Sequence, residues 1–384
     1  AIVTDMANID RIEVIKGPSA SIAGASESAG FLNYITKKPL FTEQRSLAVT
    51  IGSWNFLRGV IDVTGPAPGY DNVAYRIVGS YVNSESFRDL DRTRKSAIYP
   101  SVLWKITRDL DLLVQVEAVS NETPGGFGTA FYAPTFGATA NPIAVPANAK
   151  VQLGTWMPRH VNSSGIPGMS RKTEFGSGLA VLTYRFSDLL SFRQSARYYT
   201  VDTNHFRNAL ADNFSYDANG ELWGTYAVNR NISRSNAYRL QGDAVFTWNA
   251  NNNVASVRAL GGYELARSKS SSLAYQSTNT AIPVNVVAPV FAPVELRNTG
   301  NNNSKGGSFG YFANAQVGVW NDFAIVTGGV RRDQNKAGWT RNNLTGAYSN
   351  TATTPWIQSP LVGLNVKPLT WLSFFGVYSN AGAA

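Results

Sequence analysis

The chain has 384 residues, of which 43% are hydrophobic and 15% charged, with 34 Lys and Arg against 25 Asp and Glu for a net charge of +9. It has no cysteine, which excludes disulfides and thiol chemistry, and its two histidines come with no spaced carboxylates that would complete a metal cage. The basic residues are scattered and not grouped on one element, which argues against nucleic-acid binding, and no apolar run approaches the ~20 residues of a membrane helix. In chain order, the first element lies between Ile9 and Pro39. Ile9, Ile12 and Val14 alternate with Arg11, Glu13 and Lys16, which predicts a strand. Gly17-Pro18 stops it, because Pro18 lacks a donor and has a fixed φ. Gly24 and Gly30 permit turns or close backbone approach. Phe31, Leu32, Tyr34 and Ile35 resume a strand that Lys37-Lys38-Pro39 ends.

From Ser46 onward the pattern is one of long strands. Leu47, Val49 and Ile51 share a face. After a turn at 52–55, Leu57, Ile61 and Val63 share another, with Arg58 and Asp62 out of strict alternation. Tyr75, Ile77 and Tyr81 oppose Arg76 and Ser80; Val102, Trp104 and Ile106 oppose Ser101 and Lys105. Leu112, Val114, Val116 and Ala118 oppose Asp111, Gln115 and Glu117. Further apolar faces follow at Leu240, Ala244, Phe246 and Trp248, then at Val257, Ala259, Tyr263 and Leu265. Tyr311 to Val319, Val326 to Val330, Leu361 to Val366 and Leu372 to Tyr378 complete about 13 strands. Such a period of two suits a transmembrane barrel with apolar residues outward, and also a soluble sandwich with apolar residues inward. The polar faces carry Arg, Gln, Asp, Glu and Asn, as a wet or plugged lumen requires.

The connections alternate in length. Tight turns are expected at Thr107-Arg108-Asp109, Ser187-Asp188-Leu189, Asn249 to Asn253, Asn321-Asp322 and Lys367-Pro368-Leu369. Longer loops are expected at Glu85 to Lys95, Asn121 to Lys172, Asp202 to Asn231, Ser268 to Lys305 and Gln334 to Pro355. Loops beyond ~12–15 residues are uncommon in compact domains unless functional. Counting from a first strand that runs outward, the long loops fall on one rim and these tight turns on the other, as in outer-membrane barrels. Trp54, Tyr99, Trp104, Trp248, Trp320 and Trp371 lie near strand ends, where interface girdles would place them.

Residues 9–39 closely resemble the end of the plug domain of TonB-dependent outer-membrane receptors, the siderophore branch above all. That family's pattern runs Ile-Glu-Arg-Ile-Glu-Val-Leu-Lys-Gly-Pro, then Tyr-Gly, Gly-Gly and Asn-x-x-Thr-Lys-x-Pro. Here Ile9, Arg11, Ile12, Glu13, Val14, Lys16, Gly17, Pro18, Gly24, Gly30, Asn33, Thr36, Lys37 and Pro39 stand in register, while Ala23 replaces the usual Tyr and Ala29 the first Gly of the pair. The resemblance implies an all-β fold: part of a transmembrane antiparallel β-barrel over 43–384, after the C-terminal part of an N-terminal α/β plug domain over 1–42. Full barrels of this kind have about 22 strands around a plug. The export signal, the coupling motif, the first part of the plug and the closing strands are therefore expected to lie outside this sequence.

The resemblance further implies a monomeric receptor in the outer membrane of a Gram-negative bacterium, set among lipid and lipopolysaccharide. It would import a ferric siderophore with energy from the TonB complex, without enzymatic activity or a cofactor of its own, the iron arriving already chelated. Import of another solute, such as a cobalamin, an oligosaccharide or a plant-derived compound, and a non-transporting surface barrel stay open. The Gly-rich stretch Pro124 to Pro134 sits where siderophore receptors place an aromatic extracellular loop. Phe127, Phe131 and Tyr132 are the leading ligand candidates, since aromatic rings offer contact area at low entropy cost. Trp156, Arg159 and His160 follow, then Phe206, Arg207 and Tyr216. Arg11, Glu13 and Lys16 are expected to pair with lumen charges such as Glu117 or Glu264.

Overall fold

The structure is a computed structural model and describes residues 6–16, 30–125, 145–150, 160–161, 168–250 and 254–380, with only the backbone at 16 and 209–213. The described part of the plug region is a two-stranded antiparallel sheet, β1 (Ile9–Lys16) with β2 (Gly30–Thr36), in which Ile12 faces Tyr34 and Val14 faces Leu32. Everything after it is one antiparallel sheet. Its strands are β3 (Gln44–Gly52), β4 (Phe56–Ala67), β5 (Tyr70–Glu85), β6 (Arg92–Lys105), β7 (Leu110–Pro124), β8 (Ser170–Arg185) and β9 (Leu190–Tyr216). They continue as β10 (Leu222–Asn249), β11 (Ala255–Ser277), β13 (Leu296–Val319), β14 (Ala324–Asn342), β16 (Ile357–Leu369) and β17 (Leu372–Ser379). These thirteen pair in sequence order, each with the next; the short β12 (Ile282–Asn285) and β15 (Tyr348–Thr351) pair with β10 and β14.

The alternation read from the sequence is inverted relative to a soluble protein. Ile61, Ile77, Val102, Val114, Leu240, Trp248 and Val326 are all exposed. Asp62, Thr64, Ser101, Gln115, Ser177, Asp243 and Arg331, one residue out of phase with those rows, are buried. Apolar side chains outside and polar ones inside are what hydrocarbon outside and a polar lumen inside demand. Arg58 and Asp62 do alternate, contrary to the sequence reading: Leu57, Gly59, Ile61 and Val63 face out, and Arg58, Val60, Asp62 and Thr64 face in. Val60 on the inner row, placed among polar neighbours, masked the pattern. Tyr99 is likewise no girdle residue; it points inward and is 6% exposed. Trp104, Trp248, Trp320 and Trp371 are exposed at the turn end, and Trp54 sits in the tip turn before β4.

The tight-turn rim is confirmed, with two to five residues between each descending strand and the next. At one such turn Trp320, Asn321 and Asp322 take φ of 53°, 57° and 61°, a left-handed conformation that Asn and Asp tolerate best. The opposite rim differs from expectation. Instead of open loops over 202–231, 268–305 and 334–355, the strands continue: β9, β10, β11 and β13 run for 27, 28, 23 and 24 residues. A tilted strand crosses the bilayer in ~9–11 residues, so these ladders project far beyond the membrane. Their outer halves lose the apolar/polar alternation because water lies on both faces, and that loss reads as loop in the sequence.

This polarity yields a test. Ala244 lies midway along the lipid-facing row between Trp248 and Tyr238. Ala244→Arg is expected to destabilise the folded protein by about 2–4 kcal/mol. Val245→Arg, facing the lumen, should stay within about 0.5 kcal/mol. Urea titration in lipid vesicles measures both.

Candidate functional site

The plug segment meets the barrel wall in two places. The first contact is apolar: Ala7 is buried against the inward-facing Val78, Tyr99, Val119 and Phe175, with Val60, Ala97, Tyr199 and Val201 around them. These wall residues come from four adjacent strands, β5 to β8, plus the flanking β4 and β9, and form one patch because inward positions on paired strands stand side by side.

The second contact is a polar latch where the chain leaves β2 for the barrel. Lys37 Nζ lies 2.9 Å from Asp62 Oδ2. Arg76 grips the same carboxylate through both arms, Nε to Oδ1 at 2.8 Å and Nη2 to Oδ2 at 2.7 Å. Its third nitrogen, Nη1, donates to the Lys38 carbonyl at 3.0 Å. Thr36 Oγ1 donates to Gln115 Oε1 at 3.2 Å, and Gln115 Nε2 donates back to the Lys37 carbonyl at 3.3 Å. The Leu40 amide donates to Thr64 Oγ1 at 2.9 Å, and that hydroxyl donates to the Tyr75 carbonyl at 2.8 Å. Every residue from Thr36 to Lys38, and Leu40, is thus tied to β4, β5 or β7. The Asp62, Arg76 and Lys37 side chains are only 10%, 12% and 25% exposed. A bidentate Arg–carboxylate pair fixes orientation as well as distance.

Of the plug charges named from the sequence, Arg11 and Glu13 bond within the plug segment. Arg11 Nε bonds Glu13 Oε1 at 2.9 Å and Arg11 Nη1 lies 3.3 Å from Asp10. Glu13 also accepts from Asn33 Nδ2 at 2.9 Å. Asn33 first, then Arg11, hold the Glu13 carboxyl below its usual range. The Lys16 side chain lies outside the described residues. Glu117 and Glu264 pair instead with arginines of the wall. Arg197 reaches Glu117 at 2.9 Å, and Glu264 forms ion pairs with Arg239 at 3.3 Å and Arg331 at 3.4 Å. Arg331 also holds Asp333 at 2.9 Å, and Arg193 holds Asp243 at 3.0 Å. These carboxylates and arginines share the inward face of strands one or two places apart in the ladder. The latch that does form is not legible in the sequence, although Thr36-Lys37 belong to the plug pattern.

At the outer rim, Phe127, Phe131, Tyr132, Trp156 and Arg159 lie outside the described residues. His160 is exposed, and its carbonyl accepts from the Asp89 amide at 2.9 Å. Phe206 packs against a cluster of Met169, Tyr226, Val228 and Val284, and Tyr216 against Phe214, Leu222 and Val286. Those two rings brace the projecting strands. At the β9–β10 tip, Asp217 accepts from the Glu221 amide and the Asn219 amide at 2.9 Å and from Trp223 Nε1 at 3.2 Å. The Glu221 amide above all holds its carboxyl below the usual range.

No protein-family model matches the chain. The metal-pseudopaline receptor CntO of Pseudomonas aeruginosa is 33% identical over 125 residues, 33% of this chain and 18% of that receptor. The catecholate siderophore receptor Fiu of Escherichia coli K12 is 24% identical over 351 residues, covering 86% of this chain and 43% of Fiu. Among solved structures, the ferripyoverdine receptor of the outer membrane of Pseudomonas aeruginosa, bound to ferripyoverdine, superposes with a TM-score of 0.79 at 17% identity. That match covers 98% of this chain and 47% of the receptor. The chain therefore spans less than half the length of these relatives. The resemblance read from residues 9–39 holds: its relatives in sequence and its neighbours in fold are outer-membrane siderophore receptors, TonB-dependent barrels with a plug.

The latch can be tested by removing its shared carboxylate. Asp62→Ala leaves two part-buried cations without their shared carboxylate, which is expected to cost about 3–5 kcal/mol. Thr64→Ala removes the neutral bonds to the Leu40 amide and the Tyr75 carbonyl and should cost about 1–2 kcal/mol. Hydrogen exchange at the Thr36–Leu40 amides reads both; wild-type protection in Asp62→Ala would show that the triad does not hold this segment.

Proposed function

We propose that this chain is part of an outer-membrane receptor that binds a ferric siderophore at its outer rim and imports it past a displaceable plug, using energy relayed by the TonB complex. The observation that carries this reading is the segment leaving the plug hairpin, latched through Lys37 to the inward face of a sheet whose apolar face points outward. A wide barrel needs such a plug against leakage, and transport needs a plug that can move. The latch suits that movement, because its partners are ionic. When the segment is pulled away, Lys37, Asp62 and Arg76 all regain water, so separation costs far less than deleting one charge. The projecting β9–β10 and β11–β13 ladders supply a tall rigid vestibule for ligand capture.

In this reading Phe127, Phe131, Tyr132, Trp156 and Arg159 are the ligand contacts, and the iron enters already chelated, with no cofactor held by the protein. The relatives are transport receptors and not enzymes; here too the work is binding and translocation. The receptor is a monomer among outer-membrane lipid and lipopolysaccharide.

The test uses the complete protein that contains this chain. It is produced in an iron-starved Gram-negative host lacking its own receptors, and uptake of radiolabelled iron is followed for a panel of siderophores with and without TonB. TonB-dependent uptake of at least one siderophore is expected. Phe131→Ala or Tyr132→Ala should weaken binding of that siderophore about tenfold or more, an effect of ~1.4 kcal/mol or above. Binding without uptake would replace transport by a surface role, and a folded barrel that binds no siderophore would move the cargo to another solute.

A further inference from the structure

Three connections on the outer rim meet at one carboxylate. Glu221 stands in the β9–β10 tip, and its Oε1 takes Lys150 Nζ, from the β7–β8 connection, at 2.7 Å. Its Oε2 accepts from Asn285 Nδ2, and Asn285 closes β12 in the β11–β13 connection. Further bonds surround this junction. The Lys150 amide donates to the Gly220 carbonyl at 2.8 Å, and Asn148 Nδ2 donates to the Ala218 carbonyl at 3.0 Å. The Val286 amide donates to the Leu222 carbonyl at 3.0 Å. Gly220 takes a φ of 73°, and a Cβ there would strike the Asn148 carbonyl. A side chain at 220 would therefore strain the turn and push 145–150 off the tip.

The three connections are not held alike. Leu222 and Val286 are buried against Phe214, with Tyr216 and Val287 alongside, so the β9–β10 and β11–β13 connections share a small apolar core. Among the described residues, none of 145–150 joins that core, and the bonds from this segment to the tip are polar. Lys150 is 60% exposed. An ion pair so exposed contributes little to stability. Its value lies elsewhere. In the sequence 145–150 falls between the ligand candidates Tyr132 and Trp156. A loop held near its bound position loses less entropy when a ligand arrives.

We propose that Glu221 is a positioning residue for ligand capture. It touches no ligand itself; through Lys150 it fixes the middle of the β7–β8 connection on the braced β9–β10 tip, and Asn285 steadies its carboxylate from the other side. The proposal rests on the receptor reading above and adds the residue that sets the loop in place.

This sequence has no cysteine, so the junction can be opened and closed chemically. The complete protein carrying Lys150→Cys with Glu221→Cys is joined by a short reducible bis-methanethiosulfonate linker. Binding of a ferric hydroxamate, a ferric catecholate and a ferric mixed-ligand chelate is followed by tryptophan quenching, with hydrogen exchange over 145–150 measured in parallel. For each complex that the wild type binds, the linked form should bind equally well. The reduced form should bind about fivefold or more weakly, with faster exchange over 145–150. Glu221→Ala should match the reduced form while a heat-dependent gel shift shows a folded barrel. Arg234→Gln breaks a comparably exposed pair with Asp202 and should leave affinity unchanged. Wild-type affinity in both the reduced form and Glu221→Ala would overturn the proposal, as would tighter binding by the reduced form than by the linked one. Absence of binding by the wild type would overturn the transport reading and this proposal with it; faster exchange with unchanged affinity would overturn this proposal alone.

Discussion

Hydrocarbon offers no hydrogen bonds, and the structure follows from that constraint. Each backbone N–H and C=O in the membrane layer must find its partner on a neighbouring strand, since an unpaired group there costs several kcal/mol. The thirteen-strand ladder, paired in strict chain order, meets that demand with tight turns on one rim. Once the ladder is fixed, the two-residue period of a strand sorts every side chain to lipid or to lumen. The same rule that exposes Leu240 and Phe246 to lipid sends Asp243 inward, where Arg193 meets it.

The lumen therefore begins with more polar groups than it can leave alone, and their pairings decide what remains for the plug. Arg197–Glu117 and the Arg239–Glu264–Arg331–Asp333 chain are complete within the wall. On β4, β5 and β7, Asp62, Arg76, Thr64 and Gln115 still offer bonds, and the segment from Thr36 to Leu40 takes them. Ala7 adds a small apolar foothold nearby. A contact built of ions and hydrogen bonds, with little apolar burial, can be parted when both sides regain water.

Beyond the membrane the constraint relaxes. The outer halves of β9, β10, β11 and β13 stay paired although water surrounds them. Small clusters such as Tyr226, Val228 and Val284, with Phe291 edge-on to Tyr226 at 5.3 Å, hold these ladders together. The rim is thus a braced wall in place of the open loops that its polar composition suggests.

The sequence by itself determined the class of fold, the number of strands in the ladder, the short-turn rim and the plug resemblance. Those properties are local: a two-residue period, turn chemistry and a motif within thirty residues are written in neighbouring positions. It left undecided which lumen carboxylate meets which cation, because pairing across strands depends on register between residues such as Glu117 and Arg197, 80 positions apart. The same holds for Lys37 and Asp62, whose meeting requires the first strands of the wall to be paired and the exit from β2 to lie against them. The projecting strands were illegible for the opposite reason. With water on both faces nothing enforces alternation, so only the neighbouring ladder shows that those residues are strand at all.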